Sequence, residues 1–115
     1  MDCVAPRVFI GNTLQANDVG VLAGDGIEAI LCLDGCQQDV AADALGVKEI
    51  VVVPLEDGPG NDFKDFLFAV QELKRLADQY KRVLVHCHAG RSRSATVAAR
   101  YLMAQEDYTA EQAEK

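Results

Sequence analysis

The chain has 115 residues, half of them hydrophobic, which suffices for one domain with a buried core. Its 11 basic and 18 acidic side chains give a formal net charge of −7. This balance argues against a nucleic-acid binder, which would show a basic stripe, and against binding to an anionic membrane surface. No apolar run approaches membrane-spanning length, and Met1–Cys3 lacks the basic and apolar leader of a signal peptide.

Strands and helices are predicted to alternate along the chain. The predicted strands are Val8–Ile10, Ala29–Leu33, Glu49–Val53 and Arg82–His86, and the predicted helices are Asn17–Ala23, Gln37–Leu45 and Asp62–Tyr80. Such alternation is typical of an α/β fold with a mostly parallel sheet. We therefore expect a single domain over residues 1–115, with a central sheet of four or five strands flanked by helices.

The helix predicted over Asp62–Tyr80 has the clearest period, and Asn61 or Asp62 is placed to cap it. Its apolar positions recur every three or four residues: Phe63, Phe66, Leu67, Val70, Leu73, Leu76, Ala77 and Tyr80. A last helix is expected to open at Thr109, which has capping-box spacing to Gln112. The chain stops about one turn later.

The segment from Val83 to Ser94 is the most informative part of the sequence. An apolar run leads into Cys87, a short polar stretch follows, and an apolar helical segment begins at Ala95. A loop that closes onto a helix N-terminus points its backbone N–H groups inward and forms an anion site. A cysteine in that positive field favours its thiolate, and Arg93 can grip the anion with its planar guanidinium. This combination predicts covalent catalysis on a phosphate ester.

His86, Cys87, Gly90, Arg93 and Ser94 form the pattern His-Cys-x-x-Gly-x-x-Arg-Ser, which resembles the signature of the cysteine-dependent protein phosphatases. Further segments resemble the small dual-specificity branch of that family: Val8–Asn12, Gly26–Leu33 and Pro54–Asp57. The resemblance implies a phosphoprotein phosphatase that hydrolyses phosphotyrosine and phosphoserine or phosphothreonine through a cysteinyl-phosphate. It also implies that no metal or cofactor takes part. Members of the family usually continue further, so the C-terminal helix is expected to be truncated or unusually short.

The residues of the signature receive distinct roles. Cys87 is the expected nucleophile, and Arg93 is expected to bind two phosphoryl oxygens. Ser94 either hydrogen-bonds the departing sulfur or caps the following helix, and the two roles are compatible. His86 is expected to order the loop rather than act as a base. The expected phosphate-binding loop comprises His88, Ala89, Gly90, Arg91, Ser92 and Arg93. Within that loop, Arg91 is interpreted as a solvated residue on the rim, and contact with a multiply anionic ligand is the alternative.

Phosphate ester cleavage also needs a proton donor for the departing oxygen. Asp57 is the candidate, because it lies in a loop marked by glycine and proline after a predicted strand. In the family that the chain resembles, an aspartate about thirty residues before the cysteine is the general acid. Asp62 and Glu56 are rivals, and an ordinary polar turn is the alternative.

The remaining cysteines offer a weaker hypothesis. None of Cys3, Cys32, Cys36 and Cys87 has the paired C-x-x-C spacing of a zinc site or a thioredoxin motif. Some members of the family protect the nucleophile by a disulfide to a cysteine in the region of Cys36. The alternatives are core packing for Cys32 and loop exposure for Cys36. A reducing cytoplasm is the expected location, since a thiolate nucleophile needs it.

Other functions fit the same loop less well. Phosphoinositide, glucan and other phosphomonoester phosphatases share the mechanism, but lipid enzymes tend to be more basic and glucan enzymes usually carry a carbohydrate-binding module. A rhodanese-like sulfurtransferase usually has a loop one residue shorter between cysteine and arginine. A non-catalytic phosphate-binding module would typically have lost the cysteine, the arginine or the acid. The expected partner is a phosphorylated protein or peptide, with no nucleic acid and no membrane, and the chain is expected to be a monomer.

Overall fold

A five-stranded sheet forms the centre of the computed structural model, which describes residues 2–5, 7–33, 40–53, 55, 63–87 and 97–101. Its strands are β1 (Asp2–Ala5), β2 (Val8–Asn12), β3 (Ala29–Cys32), β4 (Glu49–Val52) and β5 (Val83–Cys87). Their spatial order is β1-β2-β5-β3-β4. β1 pairs antiparallel with β2, and the other neighbours are parallel. The predicted α/β class, the mostly parallel sheet and its four predicted strands are thus confirmed, and β1 is additional.

Helices cover both faces of the sheet, as predicted. They are α1 (Thr13–Ala16), α2 (Val19–Gly24), α3 (Phe63–Gln79) and α4 (residues 97–101), and a 3₁₀ turn spans Ala42–Leu45. One face packs against α3 and α4 through a cluster that includes Leu31, Leu33, Leu55, Ala69, Leu73, Leu76, Ala77, Val85, Cys87 and Val97. The opposite face packs against α1, α2 and the 3₁₀ turn through Ala16, Leu22, Ile27, Ile30, Leu45, Val47 and Leu84.

β5 is the most enclosed strand. It lies between β2 and β3, and each of its five residues is at most 1% exposed. A continuous apolar run is typical of a parallel strand that is covered on both faces. The apolar run Val83–Val85 therefore accounts for the burial of β5. Because β5 is the central strand, its carboxyl end lies in the middle of one edge of the sheet.

The segment after β2 folds as two short helices. The predicted helix Asn17–Ala23 corresponds to α2 and is wrong in its bounds, because α2 begins two residues later, and α1 is additional. Asn12 caps α1 in a capping box: its side chain accepts from the Gln15 backbone at 2.9 Å, and the Gln15 side chain accepts from the Asn12 backbone at 3.0 Å. Asn17 ends α1, and Asp18 then caps α2 by accepting from the Val21 N–H at 3.2 Å. The cap at Asp18 fixes the start of α2 at Val19, so Asn17 and Asp18 lie before the helix rather than in it.

The predicted helix Gln37–Leu45 is also corrected in its described part, while residues 37–39 lie outside the described residues. Val40 and Ala41 are not helical, and only Ala42–Leu45 forms a 3₁₀ turn. Gly46 ends that turn in the left-handed region at φ +75°, which a glycine adopts at little cost. This early reversal brings Val47 into the core directly before β4.

α3 agrees with its predicted bounds to within one residue at each end. Its buried side chains are Ala69, Leu73, Leu76 and Ala77, whereas Leu67, predicted on the apolar face, is 45% exposed. The side chains of Phe63 and Phe66, the expected caps Asn61 and Asp62 and the predicted helix from Thr109 lie outside the described residues.

The helix after the loop is apolar almost all round in sequence, which predicts that it is central and buried, but this prediction is wrong for the described turn of α4. Val97 and Ala98 are buried, but Ala99 and Arg100 are exposed. In this turn, one face of the helix packs on the core and the other face is exposed to solvent.

Candidate active site

Cys87 is the last residue of β5 and is 1% exposed. Asn12, the last residue of β2, lies beside it in register, and on the other side of β5 Cys32 pairs with His86. The Leu33 N–H donates to the His86 carbonyl at 2.9 Å and continues that pairing past the end of β3. The carboxyl edge of a parallel sheet is where α/β proteins bind their ligands. Cys87 therefore lies at the centre of the edge that the fold favours for a site.

The start of α1 adjoins this cysteine. The Thr13 hydroxyl donates to the Cys87 carbonyl at 3.4 Å, a long contact for two oxygens. The capping box at Asn12 and the full burial of Ala16 hold α1 on the end of β2. Neither Asn12 nor Thr13 was predicted from the sequence as a site residue. The signal that would have found them is the spacing Asn12-x-x-Gln15 immediately after a strand next to the cysteine strand.

The side chains at this edge divide between the two faces of the sheet. Cys87 packs with Leu33 and Val85 on the α3 face. Successive strand residues alternate faces, so His86 and its register partner Cys32 lie on the other face, that of α1 and α2. His86 is 0% exposed, and Cys32 is buried in the core, as its sequence context indicated.

α4 completes the strand-to-helix connection predicted from the sequence. Val97 belongs to the same buried cluster as Cys87, and Tyr101 packs against that cluster. Burial raises the pKa of Tyr101, and the Asp78 carboxylate raises it further, while Arg7 opposes both effects. The helix after the cysteine strand is thus anchored to the core cluster that contains Cys87.

A second chain segment enters the same edge. The Leu55 N–H donates to the Leu33 carbonyl at 2.9 Å, and Leu55 is buried at 3% exposure in the cluster that contains Cys87. Residues 56–62 follow Leu55 directly. Leu55 therefore lies at the same edge of the sheet as Cys87.

Of the predicted site residues, the structure brings His86 and Cys87 to this edge. The others lie outside the described residues: Asp57 with its rivals Glu56 and Asp62, the loop residues His88, Ala89, Gly90, Arg91, Ser92 and Arg93, and Ser94. Cys36 lies outside them as well. In the described part of the chain, no three His, Cys, Asp or Glu side chains are grouped so as to hold a metal ion. No described helix is long and apolar enough to cross a membrane.

The sequence matches one protein family over nearly its whole length. Residues 8–115 correspond to the family described as dual specificity phosphatase, catalytic domain. The chain belongs to the dual specificity phosphatase family. Its parallel sheet, with a buried cysteine at the end of the central strand, agrees with the fold expected from the resemblance.

Two curated relatives and one solved structure illustrate the similarity. Dual specificity protein phosphatase 22 of Xenopus tropicalis is 32% identical over 112 residues, covering 94% of this chain and 50% of that protein. Dual specificity phosphatase 28 of Mus musculus is 37% identical over 101 residues, covering 87% of this chain and 60% of that protein. The crystal structure of human DUSP28 superposes with a TM-score of 0.72 at 30% identity, covering 90% of this chain and 71% of that one. The chain thus spans between half and two thirds of the two curated relatives.

Proposed function

We propose that this protein is a phosphoprotein phosphatase that works through a cysteinyl-phosphate on Cys87. The observation that carries the proposal is the position of Cys87 at the end of the central parallel strand, in a chain of the dual specificity phosphatase family. The nine residues 88–96 then connect it to α4, whose Val97 shares a core cluster with Cys87. A strand, a connecting segment of this composition and an anchored helix supply the elements of an anion site beside a thiolate.

The proposed reaction has two steps. In the first, the Cys87 thiolate attacks phosphorus, the S–P bond forms as the P–O bond to the substrate breaks, and Asp57 gives its proton to the departing oxygen. In the second, water attacks phosphorus, Asp57 takes a proton from that water, and the S–P bond breaks to release inorganic phosphate and the thiolate. The proton that Asp57 lost is thereby restored, and Ser94 hydrogen-bonds the departing sulfur.

Charge on the transferring phosphoryl group is met by the loop His88–Arg93. Its backbone N–H groups and the Arg93 guanidinium bind the equatorial oxygens, whose charge they follow into the transition state. His86 orders the start of the loop from inside the sheet, in keeping with its complete burial. In the sequence, Asp57 comes two residues after Leu55, which is hydrogen-bonded to Leu33 at the edge that carries Cys87. This short separation supports Asp57 as the proton donor.

The proposed substrates are proteins that carry phosphotyrosine and phosphoserine or phosphothreonine. The match of residues 8–115 to the dual specificity phosphatase catalytic domain supports this substrate class. We further propose that the chain acts as a monomer in a reducing cytoplasm, since the nucleophile must remain a thiolate.

Phosphate release from matched phosphotyrosine and phosphothreonine peptides tests the proposal. Wild type and Cys87→Ser are compared in the presence of a chelator, with Cys32→Ser as the matched control because its side chain is equally buried. Release by wild type and Cys32→Ser, reduced by at least about 10³-fold in Cys87→Ser, is the expected result. Release that depends on metal, or that survives in Cys87→Ser, would overturn the covalent mechanism. Turnover of phosphoinositides but of neither peptide would be consistent with the covalent mechanism but would show that the proposed substrate class is wrong.

A further inference from the structure

Among the described residues, a large apolar side chain near the candidate site is exposed to solvent. Leu14, the second residue of α1, is 82% exposed. Exposure alone would not single it out, because isolated apolar side chains on surfaces are common and Val19, Leu67 and Phe68 are also exposed. What distinguishes Leu14 is that it follows Asn12, the register partner of Cys87, by only two residues.

The distance from Leu14 to Cys87 is short. Asn12 lies opposite Cys87 on the neighbouring strand, and adjacent strands are about 4.8 Å apart. Leu14 follows Asn12 by two residues, which span at most about 7 Å. The Cα atoms of Leu14 and Cys87 are therefore no more than about 12 Å apart, a distance that three or four residues of an extended peptide cover.

α1 holds this side chain on a fixed support. Its first turn carries a complete capping box between Asn12 and Gln15, and Ala16 is fully buried. The Thr13 hydroxyl meets the Cys87 carbonyl, so the residue preceding Leu14 contacts the backbone of the proposed nucleophile. A contact made by Leu14 consequently has a defined position relative to the reacting phosphorus.

The sequence on either side of Leu14 is uncharged. Residues 12–17 contain no ionisable side chain, although the chain as a whole carries a net charge of −7. This stretch can therefore recognise an apolar side chain by burial but cannot recognise a charged one by ion pairing. Because Leu14 buries little surface within its own chain, its side chain is available for such a contact.

We propose that Leu14 is a specificity-determining residue that contacts an apolar side chain within about three residues of the phosphorylated residue of the substrate. This inference rests on the proposed phosphoprotein phosphatase function and names a feature of its substrates. The contact selects among phosphopeptides by burying apolar surface on α1. It leaves the chemistry at phosphorus to the loop.

The test measures kcat/KM for a set of phosphopeptides in which a single leucine replaces serine at each of three positions on either side of the phosphoresidue. Wild type, Leu14→Ala, Leu14→Met and Leu67→Ala are compared. Hydrolysis of para-nitrophenyl phosphate, which has no flanking residues, normalises each variant for its folded and active fraction. Leu67→Ala is the matched control, since it removes an exposed leucine from the opposite side of the sheet.

Wild type, Leu14→Met and Leu67→Ala should prefer leucine at one or more of these positions by about threefold to tenfold, and Leu14→Ala should lose that preference. An unchanged preference in Leu14→Ala, or no preference in wild type, overturns the role of Leu14 while normal peptide turnover leaves the phosphatase proposal standing. Hydrolysis of para-nitrophenyl phosphate without turnover of any peptide instead overturns the protein substrate class and the role of Leu14 with it.

Discussion

Cys32 and Cys87 lie at the carboxyl ends of neighbouring strands, yet their side chains lie on opposite faces of the sheet. Cys32 pairs in register with His86, and Cys87 packs with Leu33 in the cluster against α3. Two cysteines whose Cβ atoms point apart cannot be bridged without moving the backbone, because a disulfide needs Cβ atoms about 3.8 Å apart. The backbone here is held by parallel pairing on both sides of β5.

We therefore predict that mild peroxide yields no disulfide between Cys32 and Cys87. Peptide mapping by mass spectrometry under non-reducing conditions is the measurement, with Cys32→Ser as the control. Any protective disulfide to Cys87 would have to come from Cys3 or Cys36, and its yield should be the same in wild type and Cys32→Ser. A linked Cys32–Cys87 peptide from folded protein would contradict the assignment of the two side chains to opposite faces.

Replacement of Asp57 should lower kcat on phosphopeptides. Transfer of the phosphoryl group to Cys87 should persist for substrates whose leaving group departs without a proton. Asp57→Asn is expected to reduce kcat on phosphopeptides by about 10²-fold, since the departing oxygen loses its proton donor. The limb of the pH profile in which activity falls as the pH rises should also disappear, because that limb reports deprotonation of the acid. The rivals serve as matched controls: Glu56→Gln and Asp62→Asn should retain both the rate and the limb. Loss of the limb in Asp62→Asn instead of Asp57→Asn would transfer the role to Asp62.

Two glycines close together in the chain should respond in opposite directions to alanine. Gly24 ends α2 with open space where an alanine methyl group would lie, whereas Gly26 has φ +66°, where a side chain is strained. Gly24→Ala should raise the free energy of unfolding by about 0.5–1 kcal/mol through a less flexible unfolded chain. Gly26→Ala should lower it by about 1–2 kcal/mol. Urea unfolding followed by circular dichroism measures both, and a stabilising Gly26→Ala would contradict the left-handed turn between α2 and β3.

An ion pair between β4 and α3 should give stability that depends on pH. The Arg75 guanidinium donates to Glu49 at 2.6 Å and the Tyr80 hydroxyl donates to it at 2.9 Å, and these bonds hold the pKa of Glu49 below its ordinary value of 4.5. Because the pKa of Glu49 is lower in the folded state than in the unfolded state, the ionised carboxylate stabilises the fold. This stabilisation is complete above the pKa of the unfolded state and is lost as the pH falls through the pKa of the folded state. Glu49→Gln should therefore cost about 0.5–1 kcal/mol at pH 7 and progressively less below the ordinary pKa.

Urea unfolding of wild type and Glu49→Gln at several pH values measures this difference. In an Arg75→Met background the same substitution should have a smaller effect, because the main cause of the shift has been removed. A difference between wild type and Glu49→Gln that stays constant as the pH falls toward 4 would show that the ion pair does not couple to folding.

The sequence was sufficient for the elements with strong periodicity. The apolar run before Cys87 predicted β5, and the three- and four-residue repeat predicted α3, because burial on both faces or along one stripe leaves a direct trace in the sequence. β1 was missed because its four residues pair at the sheet edge without an apolar run. α1 was missed because its four residues are too few to show an apolar period, and the start of α2 was predicted two residues early because periodicity does not register the caps at Asn17 and Asp18.

The parts of the candidate site that lie in one continuous segment of sequence were predicted, whereas the parts that depend on the order of strands in the sheet were not. One continuous segment of sequence predicted Cys87 and the residues that follow it. The structure confirms the strand that ends at Cys87 and the helix that follows the loop. The contribution of β2 and α1 depends on which strands become neighbours, and adjacency in a sheet is a property of topology rather than of local sequence. The roles of Asp57, Arg93 and Ser94 remain predictions.

The central position of β5 has a consequence for how the protein loses function. Edge strands can separate while the rest of a domain stays folded, but a strand bonded on both sides and buried on both faces opens only when the whole sheet does. The backbone amides of Val83–Val85 should thus be among the slowest in the molecule to exchange with solvent. Cys87 is the last residue of that strand, so we expect the proposed nucleophile to lose its position only when the domain unfolds as a whole.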